Sequence, residues 1–179
     1  GRPAIFRQNL VTAKRTQLTN FRGLNGAPAW SPDGRHIAFV SNRTNYPDRN
    51  RDTNIWRVDV SKKSPELERL TSNSYEDAHP TWSPDGRYLA YISSASQGLP
   101  IYAIPQLAVL DLESGEEKMV ESLSEVHVYN PIFSKDGDQI LALAEHRGEQ
   151  QLISVNVETK TVQRILHQRH NVVEFEEGS

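Results

Sequence analysis

A twelve-residue pattern recurs along the chain at nearly constant spacing, and this restricts the fold more than any other feature. Pro28-Ala29-Trp30-Ser31-Pro32-Asp33-Gly34-Arg35-His36-Ile37-Ala38-Phe39 returns as Pro80-Thr81-Trp82-Ser83-Pro84-Asp85-Gly86-Arg87-Tyr88-Leu89-Ala90-Tyr91, identical at eight of twelve positions. A looser third copy runs from Pro131 to Ala142, with Phe133 for Trp and Lys135 for Pro. Trp30, Trp82 and Phe133 follow one another at 52 and 51 residues. Self-similarity at such a period marks an array of supersecondary units.

Two further motifs keep the same register. Ile55 to Val60 matches Leu107 to Leu112 and Leu152 to Val157, and a fourth copy, Ile5 to Leu10, stands near the N-terminus. Each unit closes on Gln17-Leu18-Thr19, Arg69-Leu70-Thr71, Lys118-Met119-Val120 or Arg164-Ile165-Leu166. A unit therefore reads as four short strands. The first begins at Pro28 or its equivalent, where a missing N–H is tolerated. Ser-Pro-Asp-Gly is a tight turn: Pro presets φ, Asp bonds the backbone ahead, and Gly accepts positive φ. The second strands (His36 to Val40, Tyr88 to Ile92, Gln139 to Ala144) are almost continuously apolar, which suits sheets covered on both faces. No window shows capped helical periodicity.

The expected fold is all-β: a β-propeller of four-stranded antiparallel blades, about 3.5 of them in this chain. The expected boundaries are a half blade at 4–19, blades at 27–71, 79–121 and 130–167, and a tail at 168–179. Trp30, Trp82 and Phe133 occupy one position of the inner strand and are expected to pack between blades. A ring closes its sheet edges, so a chain of this content is expected to require either further blades or a second copy.

Composition removes several function classes. The net charge is −3 with 20 basic and 23 acidic residues. That balance lacks the basic face on which nucleic-acid binding depends. With no Cys, disulfides, thiolate metal sites and Cys nucleophiles are excluded together. The longest apolar stretch, Leu99 to Leu110, is broken by Pro100, Pro105 and Gln106, so no membrane-spanning helix is expected. A serine hydrolase of the α/β type needs Gly-x-Ser-x-Gly, and no two glycines stand four apart.

The Trp-Ser-Pro-Asp-Gly-Arg motif, the apolar second strand and the closing Arg-Leu-Thr resemble the propeller repeats of the TolB family. The resemblance extends from Ile5 to Leu166. Similar repeats occur in the propellers of prolyl-oligopeptidase-family peptidases and of some oligogalacturonate lyases. The resemblance implies a non-catalytic protein-interaction propeller in the periplasm or another extracytoplasmic compartment. The alternatives are the substrate-gating part of a prolyl-oligopeptidase-like enzyme and a metal-dependent lyase.

The residues themselves carry little chemistry. His79 and His127 precede inner strands at comparable places; ordinary loop-end roles are favoured there over a metal site. Asp48-x-Asn50-x-Asp52-x-Asn54 has alternating oxygens, but it lacks a Gly at the sixth position and carries interleaved Arg49 and Arg51, so a solvated loop is expected rather than a calcium site. Asp33, Asp85 and Asp136 recur with their turns and are read as turn groups. No cofactor, metal or catalytic residue is expected. Binding is expected on the face carrying the variable loops. There Arg43, Tyr46, Arg49 and Arg51 form one tip, Tyr75, Asp77 and His79 another, and Tyr102, His127 and Tyr129 a third. Tyr and Arg make effective interface anchors. The expected partner is a protein, with a homo-oligomer as one way of completing the ring.

Overall fold

The computed structural model describes residues 3–21, 23–62, 66–73, 75–94, 104–146 and 148–165. Among them lie fourteen strands and one short 3-10 turn, Glu121–Leu123. The chain divides into two compact units, Gly1–Pro80 and Thr81–Ser179.

The first unit opens with a two-stranded sheet of β1 (Phe6–Gln8) and β2 (Arg15–Gln17). A four-stranded antiparallel meander follows: β3 (Asn25–Trp30), β4 (His36–Ser41), β5 (Asn54–Asp59) and β6 (Leu67–Arg69). Ile5, Ile37, Phe39, Val58 and Val60 form its core, with Leu18, Trp56 and Leu67 packed against them. Five consecutive residues of β4, Ile37 to Ser41, are buried, so both faces of this strand are covered, as its apolar run implied. Burying a side chain such as Phe39 contributes roughly 1.5–3 kcal/mol.

The next meander comprises β7 (Asp77–Trp82), β8 (Tyr88–Ser93), β9 (Gln106–Asp111) and β10 (Glu117–Met119); β7 starts in the first unit. The last comprises β11 (His127–Phe133), β12 (Gln139–His146), β13 (Glu149–Asn156) and β14 (Val162–Arg164). The second unit's core joins Ile92, Leu107 and Val109 to Phe133, Ile140, Ile153 and Val155. Each sheet has the strand order of a propeller blade.

The inner strands start at Asn25, Asp77 and His127, three or four residues before the Pro-led starts read from the sequence. The proline lies inside the strand, at an irregularity. Register shifts occur between Gly26 and Ala29 and between Tyr129 and Ile132. Ala27, His79 and Asn130, each just before its proline, take φ of 45°, 53° and 49°. A bulge accommodates the missing proline N–H within a strand.

The inner-strand aromatics differ in their surroundings. Phe133 is 7% exposed within the second unit's core, whereas Trp30 is 51% exposed and Trp82 is half-buried. The expectation that all three pack between blades fails for Trp30. Phe133 has β8 and β9 of a complete sheet beside β11. Trp30 instead lines an open cleft with Arg7, Gln8, Asn9, Thr12, Lys14 and Thr16, all from the two-stranded sheet and the turn that joins its strands.

Candidate interaction loops

At one end of each four-stranded sheet the turns satisfy themselves. Ser31, Ser83 and Ser134 donate their hydroxyls to Asp33, Asp85 and Asp136 at 2.5, 2.5 and 2.6 Å. The same carboxylates accept the backbone N–H of Arg35, Arg87 and Asp138 at 2.9, 3.0 and 3.1 Å. Each serine oxygen also accepts the N–H of the residue five positions on. The turn glycines Gly34, Gly86 and Gly137 have φ of 68°, 75° and 81°, which a side chain would oppose. The serine hydroxyl, followed by the backbone N–H, holds each Asp below the ordinary carboxylate pKa. A carboxylate committed to a serine hydroxyl and a backbone N–H in every copy is a turn fastener.

The opposite ends carry the loops singled out for binding. In the first unit, residues 42–53 fold around two asparagines. Asn42 Nδ2 donates to Asn50 Oδ1 at 2.8 Å, and Asn50 Nδ2 donates to Thr44 Oγ1 and the Tyr46 carbonyl, both at 3.1 Å. Asn54 Nδ2 donates to Asp52 Oδ1 at 3.0 Å. The side-chain oxygens of Asn50 and Asp52 are thus engaged in shaping the loop, while Asn54 Oδ1 is buried without a partner. Tyr46 is 65% exposed at its tip, with the Arg49 guanidinium 5.4 Å from its ring centroid. Arg51 is exposed in the same segment. A Cβ added to Gly23 would stand 2.0 Å from the Asn42 carbonyl oxygen, so this loop also depends on a glycine in the segment beneath it.

Arg43 has a different setting from its neighbours. Its guanidinium carbon lies 4.8 Å from the Phe21 ring centroid and 5.1 Å from that of Trp56. Its Nε and Nη2 are buried without a hydrogen-bond acceptor, as is Trp56 Nε1. Burial lowers the guanidinium pKa from its ordinary value.

Asp77 is fully buried. Thr71 Oγ1 donates to Asp77 Oδ2 at 2.5 Å, and Asn73 Nδ2 donates to both carboxylate oxygens at 2.9 and 3.1 Å. Tyr75 is half-buried and His79 is exposed. In the second unit, His127 and Tyr129 project from β11 with their rings 6.3 Å apart and 13° from parallel. The Tyr129 phenol is pushed above its usual pKa by burial, then by the charge of Glu145 and the hydrogen bond to it. Tyr102 lies outside the described residues. The structure therefore brings Tyr46 and Arg49 together at one exposed tip and His127 and Tyr129 at another, leaves Arg51 exposed in the same segment as the first pair, and makes Asp77 an internal tie. Phe21, Trp56 and Glu145 complete these environments and were not among the sequence candidates. The first two are joined to Arg43 only by tertiary packing, which no local motif announces.

Two clefts lie on the described surface. One, of about 420 Å³, is lined by Trp30 and the two-stranded sheet. The other, of about 200 Å³, lies at the turn end of the second unit among Arg87, Asp111, Lys118 and Lys160. Its charges are largely paired, with Arg87 2.9 Å from Asp111 and Lys118 3.0 Å from Glu116. Among the described residues, no group of three or more His, Cys, Asp or Glu side chains is arranged to hold a metal, and no helix is long and apolar enough to cross a membrane.

The sequence profile of the TolB beta propeller domain matches residues 1–106. The chain belongs to this TolB propeller family. The TolB-family chain superposes on the crystal structure of TolB from Acinetobacter baumannii with a TM-score of 0.71 at 28% identity, covering 91% of this chain and 37% of that one. It is 31% identical over 142 residues to an uncharacterized protein of Agrobacterium fabrum, covering 75% of this chain and 45% of that protein. It is also 31% identical over 114 residues to the uncharacterized peptidase YuxL of Bacillus subtilis, covering 64% of this chain and 16% of the peptidase. The TolB-family chain thus spans less than half the length of these relatives. Its fold class is the all-β propeller of four-stranded antiparallel blades.

Proposed function

We propose that this TolB-family chain is a non-catalytic propeller segment that binds a protein partner through its loop ends, outside the cytoplasm in the cell envelope. The observation that carries the reading is the contrast between the two ends of the sheets. At one end, the same Ser–Asp network repeats in three turns and leaves little free bonding capacity. At the other, the exposed Tyr46–Arg49 pair and the His127–Tyr129 pair present aromatic and polar groups that differ between repeats. Variable groups on a rigid frame are the usual basis of recognition. The likeness to TolB, named for the Tol-Pal system in its curated relatives, supports the envelope setting.

A photo-crosslinking residue at Tyr46 or His127, expressed in the source organism, tests this. The expected outcome is a discrete protein adduct, identified by mass spectrometry, that is absent when the probe stands at Glu113 on the turn end. Equal adducts at all three positions, or none, would reject the reading.

A second reading rests on the similarity to the YuxL peptidase: the chain would be the substrate-gating propeller of a larger hydrolase. Its mark is a Gly-x-Ser-x-Gly nucleophile elbow encoded in the same open reading frame.

A further inference from the structure

We infer that Arg43 anchors a carboxylate-binding site, through which segment 42–53 takes up an acidic stretch of a partner protein. This rests on the protein-interaction reading above and names the chemistry of the partner.

Arg43 stands out among the arginines of its unit. Arg7 donates to the Val60 carbonyl, Arg57 to Glu68 and Arg69 to the Thr71 carbonyl. Arg43 lies between two aromatic rings with Nε and Nη2 buried and no acceptor, and Trp56 Nε1 beside it is in the same condition. Stacking on rings fixes the guanidinium plane and partly offsets its desolvation, but it does not satisfy the N–H groups. Buried donors without acceptors are uncommon in folded proteins and call for an explanation.

The acids of its own segment do not supply one: Nε and Nη2 have no acceptor, and Asp52 accepts from Asn54. Because Nε and Nη2 are buried, a carboxylate from another chain would engage the guanidinium in the two-pronged geometry that the groups share once the side chain moves outward.

Charge decides the class of anion. Segment 42–53 holds Arg43, Arg49 and Arg51 against Asp48 and Asp52, and the whole chain carries −3. Interleaved signs do not make the broad positive field that a nucleic acid or an anionic membrane needs. They suit a protein segment whose carboxylates are spaced among neutral residues. Tyr46 and Arg49, exposed at the tip, provide the flanking contact surface.

The test measures binding of a fluorescent hexaglutamate peptide to the 179-residue chain by anisotropy, with a hexalysine peptide and a short single-stranded DNA as comparators. Arg43→Met removes the charge but keeps most of the apolar stem, Arg43→Lys keeps the charge without the fork, and Arg49→Met removes a charge at the tip. Hexaglutamate is expected to bind saturably and hexalysine not at all. Arg43→Met is expected to weaken binding about tenfold, and Arg43→Lys severalfold; Arg49→Met should have the smallest effect. The melting temperature of Arg43→Met should equal or exceed that of the parent, because an unsatisfied cation has been removed. Failure of hexaglutamate to bind, equal binding by parent and folded Arg43→Met, or tighter binding of DNA overturns the inference. Should Arg43→Met not fold, Arg43→Lys decides: unchanged affinity overturns it. If the Tyr46 adduct persists at full yield in a chain whose hexaglutamate binding is absent, protein interaction stands and the carboxylate anchor falls. If the adduct is absent from the parent chain, the interaction reading itself falls.

Discussion

Thr71 and Asp77 form a buried polar pair: the threonine hydroxyl donates to the carboxylate at 2.5 Å and accepts the Ile55 N–H at 2.9 Å. In the next repeat the same two positions hold Val120 and Val128, both buried in one apolar core. The pair thus changed character together. Thr71→Val alone strands the Ile55 N–H and one side of a buried carboxylate, at a cost of about 1–3 kcal/mol. Asp77→Val alone leaves Thr71 and Asn73 without their acceptor, at a similar cost. The double variant should lose less than the sum, with a coupling of about 1–2 kcal/mol in a urea double-mutant cycle. Strict additivity would show that the two sites are independent.

The three turn carboxylates make stability depend on acid. Asp33, Asp85 and Asp136 have folded pKa values below their ordinary values, chiefly through the serine hydroxyls. For such groups the stabilisation is complete above the unfolded pKa, near 4, and declines as pH falls through the folded value. Melting temperature should therefore be flat from about pH 7 to 5 and fall below about pH 4. Replacing all three with Asn should flatten that fall. An identical acid profile for the triple variant would assign the loss to other groups.

Gly23 and Gly26 make a contrasting pair three residues apart. A Cβ at Gly23 meets the Asn42 carbonyl oxygen at 2.0 Å, whereas one at Gly26 meets nothing within 4 Å. Gly23→Ala must displace backbone under the 42–53 loop and should cost about 1–3 kcal/mol, the range for overpacking. Gly26→Ala should change stability by less than about 0.5 kcal/mol, as open surface positions do. Chemical denaturation of both variants provides the measurement; equal effects would contradict the close approach.

The chain should show no serine-directed reaction. Its serines in the turns donate to Asp within a closed network, and no histidine base is bonded to them among the described residues. A fluorophosphonate probe is expected to leave every serine unlabelled at stoichiometric dose. Selective labelling of one serine would show a nucleophile that neither sequence motif nor turn geometry supplies.

The repeat made the sheets legible, because turn chemistry and strand pattern repeat together and each confirms the other. Ser31 to Gly34 identifies its turn without help from the rest of the chain. Burial of Asp77 was harder to read, since a polar residue in a variable loop suggests surface. The signal was nonetheless present: Thr71 and Asp77 lie six apart, and both become Val in the next copy. The placement of Arg43 against Phe21 and Trp56 had no such signal, because it arises from three separate segments meeting. Trp30 departs from its repeat because the sheet beside it has two strands instead of four, which its own position in the pattern does not encode.

The left-handed residue before each proline alters the parity of the inner strand. Val128 and Phe133 are an odd number of positions apart, yet both enter the same core. In a regular strand they would point to opposite faces. One inserted residue absorbs the mismatch, and its own side chain belongs to neither face. Ala27, His79 and Asn130, all exposed, occupy that place, and their chemistry differs although the framework around them repeats. Each bulge is therefore a socket: its occupant can change by selection, or by design within the small set that tolerates positive φ, while the packing on either side keeps its register.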